Sequence, residues 1–147
     1  MKITLKNYEL APALNFLQGM DLKAASQSRQ RSKLRNLVME ALEGFQEAQK
    51  EVYELYVEKD SNGELVINED GTDYKIIKDM KKKFHKEMNT LLSEEVIIEG
   101  GIYARNITAF GEILGNYEGV ISGREADIYD RLMDEFEKEQ NQNVKNK

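Results

Sequence analysis

With 147 residues the chain has the length of one ordinary domain and can bury about two thirds of the surface its unfolded form exposes. The absence of cysteine excludes disulfides, thiolate metal sites and cysteine nucleophiles, and a single histidine excludes sites built on paired imidazoles. A formal net charge of -6 sets the long-range field against phosphate backbones and anionic lipid, and no apolar run approaches the ~20 residues of a membrane helix.

In chain order, KITLK at residues 2–6 alternates, with Ile3 and Leu5 on one face, as a half-buried strand does. This start does not resemble a signal peptide, so the N-terminus is expected to be retained. YELAPALNFLQG follows with Leu10, Leu14 and Leu17 at helical spacing. Pro12 suits a first turn and Gly19 a stop, which predicts a helix of about two turns. The longest periodic signal runs through Leu34, Val38, Ala41, Phe45, Ala48, Val52 and Leu55 in steps of four and three, a seam for a partner helix that exceeds what one shorter helix covers and leaves its start for the C-terminal helices or a second copy. It predicts one helix over about 28–58, N-capped by Ser28. Ile77, Met80, Phe84, Met88 and Leu91 predict a second helix running back along the first to about residue 93. EEVIIEGG then reads as a short strand able to pair with KITLK. Ile107, Phe110, Leu114 and Tyr117 predict a third amphipathic helix, broken by Gly115 and Gly119. Ser122 with Glu125 reads as a capping box opening a fourth, which carries Ile128, Leu132 and Phe136.

The stretch EKDSNGELVINE, residues 58–69, has oxygen side chains at Glu58, Asp60, Asn62 and Glu69 and a bend glycine at Gly63, the spacing of a calcium loop. Three features oppose that reading. Glu58 is longer than the usual aspartate, Val66 offers no side-chain oxygen, and Asp70-Gly71 stands where an exit helix would begin. A β-hairpin accounts for more: ELVI pairs with TDYKI, and Asn62-Gly63 and Asp70-Gly71 are turn chemistry. No metal or cofactor is therefore expected.

Basic residues gather in SRQRSKLR, where Arg29, Arg31, Lys33 and Arg35 join Lys23, and in KDMKKKFHK. On helices such runs fan around the axis and face water, and Glu47, Glu51 and Glu54 stand ready to pair with the second cluster. Lys23, Arg29, Arg31 and Arg35 are nevertheless the candidate interaction residues, since a local patch can hold phosphate on an acidic protein. His85, off the apolar stripe, reads as a surface residue. Glu94, Glu95, Glu99 and Glu112 could meet as paired acids, but nothing in their spacing selects them from 27 acidic residues.

MKITLKNYELAPALNFL, SRQRSKLRNLV, EKDSNGE and LLSEEVIIE together resemble a family of small uncharacterised proteins encoded by phages and prophages of Gram-positive bacteria. The resemblance covers residues 1 to about 100 and includes no catalytic motif. It implies an accessory role in virion assembly or in interference with a host process, in the host cytoplasm or on the virion.

These readings combine into a mainly α (α+β) fold: a long antiparallel helix pair joined by a β-hairpin, an N-terminal strand pairing near residues 95–99, and a C-terminal helix pair. One domain is expected over 1–138, with a flexible tail over 139–147. The expected function is non-enzymatic protein–protein contact, with a host or phage protein or as a homodimer. The rivals are a nucleic-acid-associated regulator using the basic start of the long helix, an acidic decoy for a host DNA-binding protein, and last an enzyme using clustered carboxylates.

Overall fold

A computed structural model describes residues 1–146. Among them are two strands and five α-helices: β1 Lys2–Lys6, α1 Asn7–Gly19, α2 Ala25–Tyr56, α3 Lys81–Ser93, β2 Glu95–Glu99, α4 Ala104–Gly115 and α5 Arg124–Lys145. A short 3-10 turn, Gly101–Tyr103, leads into α4. No described helix is long and apolar enough to cross a membrane. The chain forms two compact units, one of residues 1–42 with the chain from Glu95 onward, the other of residues 43–94.

In the first unit β1 and β2 pair antiparallel, with Ile3 opposite Ile98 and Leu5 opposite Val96. The alternation predicted for KITLK holds, since Ile3 and Leu5 are fully buried while Lys2, Thr4 and Lys6 are not. Helix α1 begins as soon as β1 ends, because Glu9 reaches back and accepts the Lys6 N–H at 2.8 Å, half of a capping box. It is therefore longer than two turns, and Pro12 lies in its interior at a position the sequence reading reserved for a first turn. Leu10, Ala13, Phe16 and Leu17 face the core; β1, α1 and α4 all pack on α5. Phe16 meets Tyr129 and Tyr117 edge-on at ring distances of 6.0 and 6.4 Å. Phe110 meets Phe136 at 6.2 Å. Gly111 permits this close crossing of α4 and α5, because a Cβ there would lie 2.6 Å from Phe136 Cδ1.

Two predicted caps are corrected. Helix α2 starts at Ala25, and Ser28 lies inside its first turn with its N–H donating to Ala24 C=O at 3.1 Å. At α5 the cap is Gly123 at φ 55°, and Ser122 serves only through its carbonyl, which accepts the Glu125 N–H at 3.2 Å. A left-handed backbone at that turn favours glycine over a hydroxyl cap. Beyond residue 138, where few apolar side chains remain, α5 continues as helix to Lys145.

In the second unit Tyr56, Phe84, Met88 and Leu91 form a buried cluster with Phe45, Ala48, Val52, Tyr53, Ile76, Met80 and Leu92 packed against it. The long seam therefore does not face one partner helix. Leu34 and Val38 are buried in the first unit, Phe45, Ala48 and Val52 join the core of the second, and Leu55 is 65% exposed.

The predicted hairpin is a three-way braid of isolated bridges: Val57 with Ile76, Lys59 with Leu65, and Ile67 with Tyr74. Its centre is a closed ring of backbone bonds. Glu58 N–H donates to Lys75 C=O at 2.9 Å, Lys75 N–H to Val66 C=O at 2.8 Å, and Val66 N–H to Glu58 C=O at 2.9 Å. Gly63 and Gly71 take positive φ at the two turns, as Asn-Gly and Asp-Gly chemistry predicts. Helix α3 begins only at Lys81, four residues after the predicted Ile77, because Ile76 and Ile77 are held by the braid and Asp79 at φ 71° redirects the chain.

Candidate functional site

The four basic candidates divide into different roles at the start of α2. Arg31 is half-buried and points at the end of α1, with Nη1 donating to Met20 C=O at 2.9 Å and Nη2 to Ser28 Oγ at 3.3 Å. Its Nε is buried with no hydrogen-bond partner among the described residues. Arg35 lies one turn on, directed at Asn36 Oδ1 at 3.3 and 3.4 Å. Lys23 and Arg29 are exposed. Lys33, outside the set of four, stacks its ammonium 4.3 Å above the Tyr103 ring.

Lys23 alone of the four lines an open groove of about 700 Å³ between the α2 start and α4. The same groove contains Asp21, Glu112 and Glu118, so it offers mixed charge and not a phosphate cradle. Its wall is fixed by the Tyr117 hydroxyl, which accepts the Asp21 N–H at 3.1 Å, and by Asn106 Nδ2 donating to Gln30 Oε1 at 2.7 Å.

Of the four oxygen side chains in the 58–69 stretch, those of Asp60 and Glu58 serve the braid. Asp60 Oδ1 accepts the N–H groups of Asn62 and Glu64 at 2.8 and 3.0 Å, and Glu58 Oε2 pairs with Lys75 at 3.1 Å. No group of three His, Asp or Glu side chains among the described residues is arranged to hold a metal ion. The lysines of α3 form no ion pair with Glu47, Glu51 or Glu54 among the described residues; Glu54 pairs with Lys59 at 3.2 Å instead.

A surface with an apolar floor lies in the second unit, along α2 and α3. A groove of about 680 Å³ is floored by Ala48, Val52, Leu55 and Leu91 and rimmed by both signs of charge, Glu51 and Glu87 against Lys83 and Lys86. In the same unit Tyr53 and Phe84 stack at 5.9 Å and Gln49 Nε2 lies 3.9 Å from Met88 Sδ, further contacts between α2 and α3. Burial, then the Asp73 charge and neighbouring Tyr74, raises the Tyr53 hydroxyl above its ordinary pKa. Burial and a hydrogen bond to Glu87 raise that of Tyr56. Both phenols therefore stay neutral donors at physiological pH.

A buried charge network in the first unit has no counterpart among the predicted site residues. Arg131 Nε pairs with Glu9 Oε2 at 2.9 Å, Nη1 with Glu135 Oε1 at 2.6 Å, and Nη2 donates to Thr4 C=O at 2.8 Å. Glu135 Oε2 accepts the Thr4 N–H at 3.1 Å, and Lys138 Nζ lies 3.2 Å from Oε1. Burial pushes the Glu135 carboxyl up, but the Arg131 hydrogen bond, the Thr4 N–H and Lys138 outweigh it and hold it below the usual carboxylate range. The only sequence signal was the Arg131–Glu135 spacing of four; Glu9 and Thr4 are more than 120 residues away.

A family model described as "Protein of unknown function (DUF1617)" matches residues 1–143. The chain belongs to this family. No curated protein and no solved structure matches it. Membership defines the extent of the shared unit and supplies no chemistry.

Proposed function

We propose that the protein is a non-enzymatic accessory protein that works through protein–protein contact. The observation that carries this reading is the groove of the second unit. Its floor is apolar, Leu55 is 65% exposed, and the rim carries both signs of charge, the anatomy of a contact surface with a hydrophobic centre and polar edge. The occupant that fits is a second copy of the chain. A two-fold interface needs a patch complementary to itself, and Lys83 and Lys86 of one copy can meet Glu51 and Glu87 of the other. A phage or prophage origin, with work in virion assembly or against a host process, rests on the sequence resemblance and belongs to the same proposal.

Light scattering after gel filtration tests the contact. The wild-type chain is expected to run as a dimer at micromolar concentration and Leu55→Asp as a monomer with an unchanged helical spectrum. A wild-type monomer at every concentration removes self-association through this groove.

A further inference from the structure

The two edges of the small sheet are finished in opposite ways. Gly100 N–H donates to Met1 C=O at 3.2 Å, and the register continues through Ile3 with Ile98 and Leu5 with Val96. Hydrogen-bonded pairs therefore fall on alternate residues, and Thr4 with Ile97 is a pair whose N–H and C=O groups point away from the partner strand. On the β1 side those two groups are closed by α5: Glu135 accepts the Thr4 N–H and Arg131 donates to the Thr4 C=O. These side chains stand where a neighbouring strand would stand. On the β2 side no described residue bonds the outward groups of Ile97, and its side chain is 59% exposed.

An unpaired edge is a template for another strand, and proteins ordinarily blunt it. Here the fold blunts one edge and leaves the other. Glu95 and Glu99 flank Ile97 at a spacing of two and are exposed. A groove of about 460 Å³ runs beside the strand, walled by Leu37, Glu40 and Ala41 of α2.

We infer that β2 accepts a short extended segment of another protein as a third strand, with an apolar or β-branched residue beside Ile97 and a basic residue opposite each of Glu95 and Glu99. The pattern is the one β1 already presents from the other side, where Lys2 stands opposite Glu99, 3.4 Å from its carboxylate, and Lys6 stands opposite Glu95. A basic third strand extends that to alternating charge across three strands, which cross-strand pairing favours. Glu40 adds a third carboxylate beside the same groove. A second copy is a poor occupant, because two β2 edges joined antiparallel about Ile97 would set Glu95 against Glu99 at both ends. Main-chain bonds supply affinity in such strand addition and the alternate side chains supply selectivity. The inference does not depend on the groove of the second unit.

The test uses the full chain and a fluorescent, end-capped synthetic peptide of sequence Gly-Ser-Lys-Val-Thr-Val-Lys-Ser-Gly, with a second peptide in which both lysines are glutamate. The lysine peptide is expected to bind, to slow exchange of the Ile97 amide, and to bind at least roughly tenfold tighter than the glutamate peptide, as the reversal of two exposed ion pairs requires. Ile97→Pro removes an N–H that β1 does not use, so it should abolish binding while the Ile3 and Ile98 amides keep their signals. The double variant E95K with E99K should reverse the peptide preference. Failure of the lysine peptide to bind, equal binding of both peptides, or binding that leaves the Ile97 amide unchanged overturns the proposal.

Discussion

Glu135 shows how one side chain can join three elements. It is almost fully buried, accepts an amide from β1, and shares a guanidinium with Glu9 of α1. A buried carboxylate is tolerated only when such partners replace its water. Because its folded pKa lies below the ordinary 4.5, the stability it contributes is complete above that value and is lost as the pH falls through and below it. Glu135→Gln is therefore expected to cost about 3 kcal/mol at neutral pH and to flatten the acid side of the stability profile below about pH 4.5, read from urea midpoints across pH. Beyond the spacing of four between Arg131 and Glu135, none of this was legible in the sequence, where Glu9 and Glu135 are two acids among 27. Burial of a carboxylate depends on where a distant strand exposes its amide, and no local pattern encodes that.

At the scale of elements, local periodicity carried the strands and the helices well and their ends poorly. KITLK and EVIIE paired in the register their alternation suggests because one apolar face must be covered. The predicted caps Ser28 and Ser122 failed for a different reason. A cap requires a particular backbone entry, and here α2 is already helical from Ala25, three residues before Ser28, while α5 is entered through Gly123 at positive φ. Helix contact distance was equally hidden. Gly111 carried no signal in the sequence beside the breakers Gly115 and Gly119, yet it is the position that lets Phe136 approach. Gly111→Ala, which raises helix propensity by about 1 kcal/mol on its own, is expected to destabilise by about 1–3 kcal/mol through overpacking, measured by thermal melting.

At the scale of the whole molecule, the apolar stripe of α2 is longer than one short partner helix can cover, but it does not mark where one core ends and the next begins. One helix contributes Leu34 and Val38 to one core and Phe45, Ala48 and Val52 to another, and a period of 3.5 looks the same whether one body or two cover it. The basic candidates were equally opaque: their spacing was legible, but Arg31 is taken by Met20 and Ser28 while only Lys23 reaches a groove. The division predicts unequal response to core damage. Phe84→Ala, at the centre of the second cluster, is expected to cost about 3–5 kcal/mol and to accelerate amide exchange throughout residues 43–94. Amides of Ile3, Leu5 and Ile98 should retain most of their protection; equal loss in both regions would show that the two cores melt as one.

The ring through Glu58, Val66 and Lys75 is built from peptide groups, the ion pair of half-buried Glu58 with exposed Lys75 adds little to it, and the two turns beside it are closed by Asp60 Oδ1, Asn68 Oδ1 and the positive φ of Gly63 and Gly71. Exposed positions such as Ser61 and Glu69, which supply neither a turn oxygen nor a positive φ, can therefore exchange size and charge without undoing the chain reversal that leads into α3. At such positions the surface chemistry of the tip is separable from the backbone bonds that hold its shape.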